Sequence, residues 1–209
     1  MQDTIEWYNQ NADKYASAVQ DYVSLDEIDH FKSLLFDGAK VLDLGCGSGR
    51  DSKILAEKGL KVEGIDLSEG LLEIARKNNP NLEFTHANML DLPLEPNTYD
   101  GVWAHASLVH LETESDTAKA ISEIHRVLKA DGLVHILVKA QSGNEKTAVV
   151  TDKLSGHDRF FQYYTMDEIR KLLTNTGFEV IELEKYRETD KNPNGRPEVE
   201  WIRAYAKKQ

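Results

Sequence analysis

The densest chemical signal lies where Val41-Leu42-Asp43-Leu44 runs into Gly45-Cys46-Gly47-Ser48-Gly49 and then Arg50. Glycines at this spacing let backbone approach a bound molecule where side chains would collide, and a helix starting behind them offers free N–H groups. Asp66 closes the following apolar run, where a carboxylate accepts hydrogen bonds from both hydroxyls of a ribose. The pair points to a nucleotide-like, ribose-bearing ligand. The dinucleotide fingerprint needs glycine where Arg50 stands, and no Gly-Lys-Ser or Gly-Lys-Thr follows to grip phosphate.

The remaining candidates are scattered. His105 lies just past the strand-like run Tyr99 to Ala104, on the edge where open α/β sheets bind ligands, and is the first candidate for a general base. Tyr163, Tyr164 and His157 stand behind it. His110 opens the next segment, Lys139 ends the following strand, and Arg159 precedes Phe160-Phe161-Gln162-Tyr163-Tyr164. Those three are candidate substrate contacts for an aromatic or anionic small molecule. A cap for His110, a solvent-facing Lys139 and core packing for the phenylalanines are the bland alternatives. Cys46 is small and sits inside the loop, so it packs there rather than acting as a nucleophile. No two histidines stand at His-x-x-x-His spacing and there is one cysteine, so the sequence supports no metal site.

These residues need an α/β frame to position them. Strands are expected over Lys40 to Leu44, Lys61 to Ile65, Leu82 to His86, Tyr99 to Ala104 and Leu133 to Val138, and helices over Arg50 to Lys58, Glu69 to Lys77 and Asp116 to Leu128. That alternation implies parallel strands joined by right-handed crossovers. Ahead of it, Tyr8, Ala12, Tyr15, Val19 and Tyr22 fall at helical spacing, and Leu25 to Phe36 reads as a second helix. After a helix over Met166 to Asn175, ended by Gly177, the runs Phe178 to Tyr186 and Val199 to Ala206 have no helix between them. They predict an antiparallel hairpin on one sheet edge, turning through 190–197. The expected fold is a doubly wound, mostly parallel, seven-stranded Rossmann-like sheet with that hairpin at its C-terminal end. Residues 140–164 show no period and are expected as a functional loop.

Length and charge bound the partners. The 209 residues, 40% hydrophobic and 29% charged, fit one globular domain, 1–209. A net charge of −11, with no basic run longer than pairs such as Lys207-Lys208, disfavours a phosphate backbone as partner. The first residues lack the basic and apolar blocks of a secretory signal, and no stretch is long and apolar enough to span a bilayer. With the single cysteine, this makes the cytoplasm the expected compartment.

At this point the chain resembles the class I S-adenosylmethionine-dependent methyltransferases, small bacterial and tellurite-resistance-like members included. The matching pieces are DLGCGSG, GIDLS, ANMLDLPL, YDGVWAHASLVHL and EIHRVLKADG, in order along most of the chain. The resemblance implies that Gly45, Cys46, Gly47 and Gly49 line the methionine part of S-adenosylmethionine and that Asp43 organises the loop. It also implies that Asp66 holds the ribose, Leu67 and Met89 pack on the adenine, and Ala104 lies beside the cofactor. Asn88 stands where the family often has aspartate facing the adenine amino group, and its carbonyl oxygen can still accept. The N-terminal helices, 1–37, with Tyr15, form a lid, and 140–164 a substrate-side insert. The implied reaction carries the methyl to an O, N or S atom of a small molecule, leaving S-adenosylhomocysteine. An RNA or protein methyltransferase and a cofactor-binding protein without catalysis are the alternatives.

Overall fold

The computed structural model describes residues 2–20, 22–151, 158–191 and 195–209. The chain opens with α1 (Gln2–Gln10), α2 (Ala12–Val19) and α3 (Leu25–Ser33). Then come β1 (Lys40–Leu44), α4 (Arg50–Glu57), β2 (Lys61–Asp66), α5 (Glu69–Asn78), β3 (Glu83–His86) and β4 (Tyr99–His105). A 3-10 turn at Leu108–His110 leads to α6 (Glu114–Val127), β5 (Leu128–Lys139), β6 (Thr147–Thr151) and β7 (Asp158–Gln162). The last elements are α7 (Met166–Asn175), β8 (Phe178–Arg187), α8 (Glu188–Lys191) and β9 (Glu200–Lys208).

Seven strands form one sheet in the order β3-β2-β1-β4-β5-β9-β8. The first five are parallel neighbours, and β9 enters antiparallel to both β5 and β8. Order reverses between β1 and β4, which opens a crevice at their carboxyl ends. Both sheet faces are covered, so β1 reads as a continuous apolar run rather than an alternating one, with Val41, Leu42 and Leu44 fully buried. One face packs Ile28 and Phe31 of α3 against Trp103 and Tyr205, and the other packs Ile121 and Ile124 of α6 and Leu173 of α7 against β4 and β5. Each such side chain contributes about 1.5–3 kcal/mol on burial. Side chains set the helix starts: Thr113 accepts from Asp116 N at 3.0 Å, and Thr165 and Glu168 form a reciprocal capping box on α7.

Several boundaries differ from the sequence reading. The N-terminal helix is broken at Asn11, which leaves the helical region at φ −117° and ψ 19° and whose side-chain amide turns back to donate to Trp7 O at 3.0 Å. The helix expected to reach Phe36 ends at Ser33. No loop separates α6 from β5: the segment after Leu128 bulges out through Asp131, at φ 63°, before pairing resumes at Leu133. Within 140–164, β6 and β7 form a separate antiparallel ribbon rather than a loop. Val149 and Val150, neighbours on β6 that point to opposite faces, are both exposed, so no apolar and polar alternation marks the ribbon in the sequence. The C-terminal hairpin turn begins with the helical residues Asp190 and Lys191.

Candidate functional site

A cavity of roughly 1260 Å³ opens at the β1/β4 crevice. Its floor is the glycine loop. Gly45, Gly47 and Gly49 take φ of 80°, 54° and 75°, the left-handed region where a Cβ is strained. At Gly45 a Cβ would also lie 2.3 Å from Ser107 Cβ, and at Gly49 2.9 Å from Asn79 Nδ2 and Phe84 Cζ. Gly49 therefore works through packing behind the loop, while Gly45, Cys46 and Gly47 face the cavity. Gly45 N and Cys46 N both donate to Ile65 O, which holds the loop on β2.

Asp66, at the end of β2, organises the same loop from the side. Its Oδ2 accepts from Gly47 N at 2.9 Å and its Oδ1 from Ser68 N at 2.8 Å. Burial raises its carboxyl above the usual range against those bonds. Asp43 is buried below the loop and takes the Ser52 hydroxyl at 2.5 Å. Burial and the neighbouring Asp51 push it up to about 8. Burial also opposes ionisation of Asp51, yet Arg50, at 2.7 Å, and the Trp103 indole N–H, at 3.1 Å, outweigh it and hold that carboxyl low. The Ser107 hydroxyl oxygen, buried on the cavity wall beside Gly45, has no hydrogen-bond partner among the described residues.

The N-terminal helices close over this floor through specific bonds. Asn9 Oδ1 accepts from Ser68 Oγ at 2.9 Å and Gly70 N at 3.0 Å, which ties α1 to the end of β2. Arg50 donates to Val19 O at 2.9 Å and so clamps the last turn of α2. Tyr8 OH meets His110 Nε2 at 3.0 Å and accepts from Arg159 Nη1 at 3.0 Å. Tyr15 stacks edge-on against Tyr8, at 4.9 Å between centroids.

The ribbon β6/β7 supplies the opposite wall. Arg159 lies 4.9 Å from the Trp7 ring and 5.4 Å from that of Phe161. Lys139 is buried rather than solvent-facing, with its amine 3.5 Å from the Phe161 centroid. Burial, with Arg196 and Arg159 nearby, lowers that amine to about 8. His110 is neutral, its pKa pushed down to about 4 by burial, and both ring nitrogens are engaged, Nδ1 with Phe160 O at 2.9 Å. It presents a ring edge to the cavity rather than a free donor.

The structure gathers many of the expected residues and leaves others aside. Leu67, Met89, Tyr15, His105, His110, Lys139, Arg159 and Tyr163 line the cavity. Asn88 instead accepts from Leu90 N at 2.9 Å and shapes its own turn, and Ala104 is sealed in the sheet core. Tyr164 is buried away from the cavity, its hydroxyl bonded to Thr117 Oγ1 at 2.9 Å and Leu108 O at 3.2 Å. His157 lies outside the described residues. His105 has Nε2 3.4 Å from Ser24 Oγ and Nδ1 3.2 Å from His135 Nε2, and burial keeps it neutral. Sequence reasoning missed Arg50, Asp51, Ser107 and Asn9. Of these, Arg50 carried a signal: a basic residue directly after the glycines is free to clamp whatever covers them.

Comparison with known proteins agrees with this geometry. A methyltransferase-domain family model matches residues 41–132. An O-methyltransferase of Pyrenophora dematioidea is 31% identical over 155 residues, covering 69% of this chain and 56% of that protein. The O-methyltransferase rstn1 of Aspergillus nomiae is 30% identical over 165 residues, covering 73% of this chain and 69% of that one. Among solved structures, an S-adenosylmethionine-dependent methyltransferase from Methanosarcina mazei superposes with a TM-score of 0.76 at 22% identity, covering 85% of this chain and 96% of its own. The chain belongs to the class I S-adenosylmethionine-dependent methyltransferases, and S-adenosylmethionine is the cofactor of that family. The residues present fit it: an open glycine cradle, an acidic group at the end of β2 and the unpartnered Ser107 hydroxyl meet on one wall. No helix among the described residues is long and apolar enough to cross a membrane.

Proposed function

We propose that the chain transfers the methyl group of S-adenosylmethionine to an oxygen of a small, anionic acceptor held by Lys139 and Arg159. The observation that carries this reading is the Lys139 amine. It is buried on the cavity wall, and among the described residues no carboxylate lies within ion-pair range of it. A buried ammonium that meets Glu188 only beyond ion-pair range, with that carboxylate bonded to Arg196 and Trp201, is costly, and an acceptor carboxylate relieves that cost. Arg159 adds a second positive charge among the rings of Trp7, Tyr8, Tyr15 and Phe161, a setting suited to a flat acceptor. Oxygen as the acceptor atom is supported by the two O-methyltransferase relatives, and the net charge of −11 supports a small acceptor over a nucleic acid.

The bound cofactor supplies a methyl on a positively charged sulfur, whose departure as a neutral thioether needs no acid. The work of this chain is alignment, which in ideal cases contributes about 7–11 kcal/mol. The glycine loop with Asp66 holds one reactant, and Lys139 with Arg159 holds the other. Helices within 1–37 act as the lid that excludes water, and the β6/β7 ribbon with Lys139 forms the acceptor wall. Both His105 nitrogens have partners within the protein, so His105 does not serve as base, and the acceptor hydroxyl's proton is released to solvent as the oxygen–carbon bond forms.

The test is turnover of radiolabelled methyl donor across matched hydroxybenzoates, hydroxybenzamides and phenols, with tRNA as a further acceptor. Acids should exceed their amides by about tenfold in kcat/KM, near 1.4 kcal/mol, and Lys139→Met should erase that margin while S-adenosylhomocysteine binding holds. Equal use of acid and amide overturns the anionic reading. Label found on tRNA alone overturns the small acceptor, and tight cofactor binding without any turnover overturns the enzyme.

A further inference from the structure

On the sheet face covered by α3, three side chains meet that no sequence spacing connects. Glu27 comes from the first turn of α3, His105 from the last residue of β4 and His135 from the middle of β5. His105 Nδ1 lies 3.2 Å from His135 Nε2 and 3.5 Å from Glu27 Oε2, and one ligand atom from each residue falls within 4.8 Å of the others. Glu27 and His135 are 3% and 0% exposed.

Protons alone do not satisfy this cluster. If His105 Nδ1 carries the hydrogen, it serves either His135 Nε2 or Glu27 Oε2, but not both. If it accepts from His135, Glu27 Oε2 faces no donor. That oxygen is in fact buried without a hydrogen-bond partner, whereas Oε1 accepts the Tyr186 hydroxyl at 2.6 Å and faces Arg203 at 3.7 Å. An unpaired buried carboxylate oxygen is costly. One cation bound to all three atoms removes the conflict.

The dimensions and donor set name the kind of ion. Bonds of about 2.0–2.2 Å at tetrahedral angles separate neighbouring ligand atoms by about 3.3 Å, close to the two distances found here, and the two imidazoles, nearly coplanar at 17° with their nitrogens facing, turn to aim at the shared ion. Two imidazoles and one carboxylate, with no thiolate, suit a first-row divalent ion rather than calcium or magnesium, which take oxygen ligands. Tyr186 on Glu27, and Ser24 Oγ at 3.4 Å from His105 Nε2, are the outer partners that orient such ligands. We propose that Glu27, His105 and His135 bind one divalent cation of the zinc type. Glu27 and His105 both line the cavity, so the open side of the shell faces the space where an acceptor oxygen or water completes it. The site stands whether or not the chain transfers a methyl group.

The full chain, stripped with chelator, is titrated with cobalt(II), followed by its visible absorption, and then with zinc(II). Binding of S-adenosylhomocysteine is measured in the same samples as a check on the fold and on the cofactor reading. One cobalt per chain is expected, displaced by zinc, with affinity lowered about 100-fold in Glu27→Gln and in His135→Asn while cofactor binding is kept. Absence of saturable cobalt binding in the wild type, or binding unchanged in both variants, overturns the site. Should either variant lose cofactor binding, X-ray absorption of the zinc-loaded wild type decides: a shell of two imidazoles with oxygen supports the site, and any other shell overturns it.

Discussion

Around Gly45 and Gly47 the cavity wall is mostly backbone, held at positive φ by β1, β2 and β4, whose ends lie side by side in the sheet. Across the cavity, at Tyr8, His110, Lys139 and Arg159, the wall is side chain, and its members come from α1, a 3-10 turn, the end of β5 and β7. The first wall is fixed by local conformation and tolerates no added atoms. The second is fixed by contacts between residues more than 100 positions apart, such as Tyr8 with Arg159, and its chemistry can change without disturbing the sheet. A wall fixed by backbone on one side and a wall open to side-chain change on the other follow from that division.

The backbone wall should break hardest. In Gly45→Ala the new Cβ meets Ser107 Cβ at 2.3 Å and the residue keeps φ 80°, so S-adenosylhomocysteine affinity should fall about 100-fold or more. Adding Ser107→Gly removes the contact but leaves a backbone cost of about 1–2 kcal/mol, so calorimetry should show recovery of part of the loss and no more. Full affinity in Gly45→Ala would mean the loop is softer than a backbone-built wall allows. Asp66→Asn is next. It weakens the charge-assisted bonds to Gly47 N and Ser68 N, and about 2 kcal/mol, roughly thirtyfold, is expected in cofactor affinity with little change in acceptor KM.

The same division explains what could be read from the sequence. Gly45 and Asp66 are legible because glycine spacing and an acidic strand end state local requirements, and the β1-to-β5 alternation that carries them is a local pattern as well. Asn88, placed by analogy, turned out to cap Leu90 N, since side-chain direction at a strand end is not a property of spacing. Tyr163 and Tyr164 are neighbours in sequence, yet one lines the cavity and the other is sealed in the core, a choice made by the isolated bridge of Ala140 to Tyr164. The ribbon β6/β7 carries no period to read, since adjacent Val149 and Val150 are both exposed and adjacent Phe161 and Gln162 both buried, and the cluster of Glu27, His105 and His135 joins ligands that lie far apart in the chain.

The side-chain wall should respond to pH and to single hydroxyls without loss of the cofactor. Lys139, with its amine near 8, is charged below that value and neutral above it, so anionic acceptor affinity should hold to about pH 8 and then fall by up to tenfold per unit. Lys139→Met should flatten this profile. If the slope survives in the variant, another group carries the charge.

Tyr8→Phe should give the smallest effect. Tyr8 sits where α1 meets β7, its hydroxyl shared by His110 and Arg159, and burial raises its pKa well above 10, so it acts at all working pH values as a neutral hydrogen-bonding group. Removing that oxygen leaves the ring contacts with Trp7 and Tyr15 in place and costs about 1 kcal/mol, a Tm drop of roughly 2–4 °C for a chain of this size. Arg159 then loses one of the bonds that fixes its guanidinium, so acceptor KM should rise about threefold while S-adenosylhomocysteine affinity stays level. The readout is the ratio of the two effects. A matching loss of cofactor affinity would show that α1 transmits strain to the glycine loop through Asn9, and the two walls would then have to be treated as one coupled unit rather than as independent surfaces.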